Sequence, residues 1–235
     1  MNIPDWQART GLILSEAALS RLRAATVAVF GLGGVGGHAA EAIVRAGVGK
    51  VVLVDGDVYQ ASNLNRQLGA LHSTLGLPKA AVMAVRARDI NPDIQAEAVT
   101  AFYHPDTAAD FPLGSYDFIV DAVDMVTAKL DLITRAMALG VPILSVMGTG
   151  WKRDASRLRV VDLDKTRSCP LARVVRKELG RRGIKHLPVV WSDEPPFAPE
   201  GPRARGDAPG SLPWVPAAAG LLAAGYVVSW LTEGF

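Results

Sequence analysis

Short apolar runs recur through the first 150 residues of this chain, at 26–30, 51–54, 94–100, 117–120 and 141–146. Between them, at 37–46, 79–89 and 126–139, apolar residues recur with the three-to-four spacing of a helix face. Strands apolar throughout, alternating with helices, predict a parallel sheet covered on both faces. Ahead of the first strand, residues 10–23 carry Leu12, Ile13, Leu19 and Leu22 and predict a helical arm. Beyond Met147 the texture changes: 157–163 alternates like a strand that pairs antiparallel at the sheet edge, and 170–182 reads as a basic helix. Prolines and glycines crowd 188–216, which predicts a long surface loop. The apolar stretch 215–231, rich in alanine and glycine, falls short of the roughly 20 residues that span a bilayer and has no basic C-terminal flank. It is expected to be a buried or subunit-packing helix, with no integral membrane association.

Neither an internal repeat nor a clean linker divides the chain, so one domain over 1–235 is expected: an arm (1–25), a nucleotide-binding core (26–150) and a substrate-side extension (151–235). The fold expected is α/β, a Rossmann-like three-layer sandwich with a mainly parallel sheet extended by antiparallel edge strands.

Composition narrows the class. Charged residues make up 20% and hydrophobic ones 49%, which excludes a disordered chain. The net charge of +2 gives no global nucleic-acid signal, so a polyanionic partner has to be met by a local patch. Cys169 is the sole cysteine, which rules out an intrachain disulfide framework and a four-cysteine zinc site. With no basic segment leading into an apolar run at the N-terminus, cytoplasmic residence is the default.

The chemistry starts at Gly31-Leu-Gly33-Gly34-Val-Gly36, a glycine-rich turn between the first strand and the next helix. Such a turn lets the backbone approach phosphates at a helix N-terminus, where unpaired N–H groups and the helix dipole favour negative charge. Glycines alone fit tight packing or a dinucleotide equally well. Asp55, at the end of the second strand, suits ribose hydroxyls. The polar stretch from Asp57 through Asn63 and Arg66 to Gln67 has no place in a dehydrogenase and points to a nucleoside triphosphate. Arg66 offers a fork for phosphate oxygens and Lys79, at a helix start after Pro78, a point charge. Asp121 and Asp124 follow the strand 117–120 at the carboxyl edge. Asp124 is the candidate for Mg²⁺, which takes one or two carboxylates plus phosphate oxygens. Asp121 is as well explained as a cap. His38 reads as a helix-face histidine, and Trp151, Trp191 and Trp214 as packing residues.

As a set, the glycine turn, Asp55, Ser62-Asn63-Leu-Asn65-Arg66-Gln67, Lys79 after Gly-Leu-Pro, and Asp121-x-x-Asp124 resemble the ubiquitin-activating-like adenylyltransferase superfamily, which activates thiamine and molybdopterin sulfur carriers. The resemblance spans residue 9 to about 150. It implies that Asp55 binds ribose, that Asn63, Arg66 and Lys79 bind phosphates, and that Asp124 serves the metal. It also implies a homodimer in which Arg9 reaches the partner subunit's site.

A second resemblance, carried by Arg9-Thr-Gly-Leu, by Asp162-Leu-Asp-Lys165-Thr166 leading to Pro170-Leu, and by the apolar C-terminal helix, is to the tRNA threonylcarbamoyladenosine dehydratase branch. It implies ATP with Mg²⁺, a possible monovalent cation, no zinc, and tRNA as partner. The residues expected to meet tRNA phosphates are Arg173, Arg176, Lys177, Arg181 and Arg182, with Lys185 beside them. A solvated helix face explains that run equally well. Two rivals stand beside this reading: a zinc-free adenylyltransferase for a carrier protein, with a sulfur-transfer partner, and an NAD-binding oxidoreductase.

Overall fold

The computed structural model describes residues 3–197 and 209–233. Two 3₁₀ turns, Asp5–Gln7 and Thr10–Leu12, precede helix α1 (Glu16–Ala24). The arm is therefore helical later than periodicity suggests. Ser15 is extended and its Oγ accepts the Ala18 N–H at 3.2 Å, which caps the helix there and leaves Leu12 and Ile13 outside it, almost fully exposed.

Strand β1 (Thr26–Phe30) leads into α2 (Gly36–Ala46), and β2 (Lys50–Val54) into a long connection before α3 (Lys79–Ile90). Then follow β3 (Gln95–Val99), β4 (Phe118–Asp121), α4 (Val126–Ala138), β5 (Ile143–Val146), β6 (Leu158–Asp162), α5 (Pro170–Arg181), β7 (Pro188–Ser192) and α6 (Trp214–Glu233). The seven strands lie in the order β3-β2-β1-β4-β5-β7-β6. All neighbours are parallel except β6 and β7, where Val160 faces Val190 in an antiparallel edge pair. The order reverses between β1 and β4, the crevice where open α/β sheets take ligands.

One correction concerns 188–216. Its first five residues are not loop but β7, inserted between β5 and β6 with Val189, Val190, Trp191 and Ser192 buried. Pro188 stands at the strand's first position, where a missing N–H costs no ladder bond. Residues 198–208 of the expected loop lie outside the described residues.

Two apolar layers sandwich the sheet. Leu19, Val29, Ile43, Leu53, Met83 and Val227 belong to one, and Phe30, Val52, Ile119, Leu132, Val175 and Val189 to the other. Helix α6 is long and apolar enough to cross a membrane by length and composition, yet it packs on α1 and α2 and buries Val215, Ala219, Ala223 and Val227. Gly220 allows that approach, since a Cβ there would lie 2.3 Å from the Val35 carbonyl oxygen.

Candidate active site

A cavity of about 540 Å³ opens at the carboxyl edge of the sheet, over the β1–β4 crevice. Its floor begins at the glycine turn. Gly31 has φ +85, and a Cβ there would sit 2.7 Å from the Ala122 carbonyl oxygen, so only glycine fits. Gly33, Gly34 and Val35 line the cavity at the amino end of α2, the end whose helix dipole favours negative charge. Gly36 is not a lining residue. A Cβ on it would meet the Gly31 carbonyl oxygen at 1.8 Å, so its role is to seat the helix on the turn.

Asp55 lies behind the turn. Its Oδ2 accepts the Leu32 N–H at 2.6 Å and its Oδ1 the Asp57 N–H at 2.8 Å. Burial holds its carboxyl above the usual carboxylate range, against the opposing pull of the Leu32 amide and the Lys79 charge. Lys79 opens α3, its backbone N–H bound to the Asp57 carbonyl, and its nearly buried ammonium lies 3.0 Å from Asp57 Oδ2. Asp57 itself is more than half exposed, so this partner is one that incoming anions can displace. Asp57 thus holds the lysine.

Asn63, Arg66 and Gln67 come from a short 3₁₀ turn and its exit. Asn63 Oδ1 caps the Gln60 N–H, and the Arg66 guanidinium rests on the Ser62 carbonyl and Asn65 Oδ1, both at 2.9 Å. The Gln67 Oε1 is buried with no hydrogen-bond partner among the described residues. Gln67 is itself a lining residue, but this oxygen is shielded from solvent. Asp124, exposed, stands on the β4–α4 connection on the opposite lip.

Asp121 is no part of the cavity. It is fully buried, with Oδ2 2.7 Å from Lys129 Nζ and 2.6 Å from Ser145 Oγ. Arg9 is exposed on the arm and lies outside the cavity of its own subunit. The basic helix divides: Arg176 is tied to Thr166 through its carbonyl and hydroxyl oxygens, and Arg181 and Arg182 share Glu178. Arg173, Lys177 and Lys185 are exposed. Cys169 is buried. His38 bonds the Gly34 carbonyl from its helix, and Trp191 and Trp214 donate to the carbonyls of Arg167 and Arg153.

Several lining residues were invisible to periodicity. Phe102, Tyr103 and His104 follow β3, and the only signal that would have found them is that they leave a strand at the same carboxyl edge. The far wall consists of Met147, Gly148, Thr149 and Gly150 with Leu171 and Pro209. Behind it Lys152 is buried, bound to the carbonyls of Ser192 and Glu194, and burial pushes its pKa down. The Glu194 carboxylate accepts the N–H groups of Arg153 and Asp154 at 3.0 to 3.1 Å.

Fold and site define an α/β protein of the nucleotide-binding type, with a cavity at the carboxyl edge lined by a glycine turn and two cationic side chains. Residues 6–234 match the ThiF family model, and the chain belongs to the ThiF family. Within it the chain is 38% identical to the tRNA threonylcarbamoyladenosine dehydratase of Bacillus subtilis, over 94% of its own length and 92% of that protein's. A Saccharomyces cerevisiae enzyme, tRNA threonylcarbamoyladenosine dehydratase 2, is 37% identical over 78% of this chain and 42% of its own length. Among solved structures, the Escherichia coli dehydratase in complex with AMP superposes with a TM-score of 0.90 at 33% identity, covering 99% of this chain and 98% of that one. The same enzyme in complex with ATP gives 0.89.

Proposed function

We propose that this chain is an ATP-dependent tRNA threonylcarbamoyladenosine dehydratase, acting through an acyl-adenylate. The observation that carries the reading is the convergence of Lys79, Arg66, Asp55 and Asp124 on one cavity, in a chain similar to dehydratases over almost its whole length.

In this reading Asp55 accepts hydrogen bonds from the ribose hydroxyls, and the amides of the glycine turn meet the phosphate chain at the start of α2. Lys79 exchanges Asp57 for phosphate oxygens, and Arg66 and Asn63 bind the departing pyrophosphate. Asp124 holds Mg²⁺, which when bound neutralises charge on the phosphates. The carboxylate of the threonyl side arm attacks the α-phosphorus and pyrophosphate leaves. The ureido group of the same side arm then attacks the activated carbonyl, a ring closes and AMP departs. One water equivalent is lost overall. Because the second nucleophile is held within the substrate, no protein cysteine is required, which suits the burial of Cys169.

The exposed Arg173 and Lys177 on α5, which starts at the cavity's far wall with Leu171, are the phosphate contacts we favour for tRNA. Arg176, Arg181 and Arg182 are already engaged and serve less well. A homodimer in which Arg9 completes the partner's cavity is supported by the exposure of Leu12 and Ile13 beside it. Residues 1–235 then act as one adenylating domain in the cytoplasm.

The test is mass spectrometry of nucleosides from threonylcarbamoyladenosine-bearing tRNA incubated with the protein, ATP and Mg²⁺. A modified nucleoside lighter by one water, with AMP and pyrophosphate formed in step, is expected. Unchanged nucleosides overturn the reading. Pyrophosphate exchange driven by a carrier-protein C-terminus then points to the carrier-activating class, and NAD binding without ATP binding to the oxidoreductase.

A further inference from the structure

Lys129 is an unused buried cation. Its side chain and that of Asp121 expose no surface, and their Nζ–Oδ2 distance is 2.7 Å. The same ammonium reaches Ser145 Oγ at 3.1 Å and the Val146 carbonyl at 3.2 Å, while Ser145 donates its hydroxyl to Asp121. The other carboxylate oxygen, Asp121 Oδ1, accepts the Val123 N–H at 3.2 Å. Three elements are thereby locked together: the last residue of β4, the first turn of α4, and β5.

None of the three side chains lines the cavity, but everything they fasten does. Residues 122–125 run between Asp121 and α4 and form one lip of the cavity, with Asp124 among them; Val146 and Met147 line it from β5 and its exit. The Ala122 carbonyl is also the group against which Gly31 is packed. Global stability gives no reason to keep such a pair, because desolvating two charges offsets their attraction and apolar residues of similar volume serve as well or better. What an apolar cluster lacks is direction. Hydrogen bonds of fixed geometry at both ends of a four-residue connection specify where its side chains stand.

We infer that Lys129, Asp121 and Ser145 are positioning residues that hold the β4–α4 connection so that Asp124 presents its carboxylate to a metal–nucleotide in the cavity. The inference rests on the proposed reading of Asp124 as the carboxylate beside the phosphates.

The variant that decides it replaces the cluster with apolar residues, Lys129→Met with Asp121→Leu and Ser145→Ala. Thermal unfolding, ATP affinity with and without Mg²⁺ by calorimetry, and kcat and KM on the tRNA substrate are measured against wild type. We expect a melting temperature equal to or above wild type, unchanged Mg²⁺-free ATP affinity, loss of the affinity gained from Mg²⁺, and a kcat lower by about 10²-fold, the scale of a misplacement of about 1 Å. A purely structural role predicts the reverse, a lower melting temperature with kcat and Mg²⁺ response intact in the folded fraction, and that result overturns the inference. Should the triple variant not fold, Asp121→Asn, which keeps an acceptor for the Val123 amide but lowers the melting temperature by leaving the Lys129 charge uncompensated, is decided by the Mg²⁺ response and kcat of the folded protein, whose loss supports the inference and whose retention overturns it. If wild type shows no dehydration of tRNA, the functional reading fails while calorimetry still decides the inference. A wild type that binds ATP with no Mg²⁺ dependence overturns it.

Discussion

Opposite walls of the cavity reach their shape in different ways. The nucleotide wall draws Gly31, Asp55 and Lys79 from strand ends and a helix start, and Asn63 and Arg66 from the 3₁₀ turn between them, all within a single stretch of chain. The far wall, 147–150, is held from behind by ties across about forty residues, from Lys152 to Ser192 and Glu194 and from Glu194 back to Arg153 and Asp154. On the first wall Lys79 is free to exchange partners, since it leans on an exposed Asp57. Side chains behind the second are committed to main-chain partners. Damage to the first should therefore cost chemistry before stability, and damage to the second stability before chemistry.

The largest effect is expected on the nucleotide wall. Lys79→Ala and Arg66→Ala should each lower kcat by on the order of 10² to 10³, the usual loss when a donor to developing phosphate charge is removed. AMP formation on tRNA and thermal unfolding measure the two sides of the comparison. Near-normal turnover in both variants would place the phosphates elsewhere.

On the far wall the expected order inverts. Glu194→Ala deprives the exposed Arg153 and Asp154 amides of their acceptor and should cost about 0.5 to 1.5 kcal/mol in urea unfolding, with kcat changed less than by Lys79→Ala. Hydrogen exchange at those two amides should quicken. A variant as stable as wild type but catalytically dead would erase the contrast between the walls.

Smaller still is the consequence of trimming α5. Arg173→Ala with Lys177→Ala should weaken tRNA binding in low salt and reduce the slope of log affinity against log salt by about two units, one for each phosphate contact, with ATP affinity unchanged. An unaltered slope would move the polyanion surface to another face.

The smallest effect is expected for Cys169→Ser. The thiol is buried and the proposed ring closure uses a nucleophile in the substrate, so kcat should stay at the wild-type value. Trapping a thioester at Cys169 would transfer the chain to the sulfur-transfer class.

What could be read in advance follows this division of the molecule. The glycine turn, Asp55 and Lys79 were legible because each sits where an apolar run stops or a helix begins, and those boundaries are written in local spacing. The packing of Gly36 on the Gly31 carbonyl and the bond from Arg176 to Thr166 were not legible, since spacing reports a residue's element and not its partner. Lys129 gave no signal of its burial. A lysine on an amphipathic helix ordinarily faces solvent, and its acceptors lie on two separate strands.

Sequence alone determined the alternating sheet and helices, the nucleotide turn and the ligand types around it, because apolar periodicity and the steric freedom of glycine act within a few residues. Tertiary structure decided the rest. The place of β7 between β5 and β6 came from pairing with strands distant in the chain. The neutralisation of Lys129 by Asp121, the exposure of Leu12 and Ile13, and the tethering of Arg176 likewise depend on which surfaces meet after folding. Burial and pairing are properties of contacts between remote segments, and no local pattern of residues encodes them.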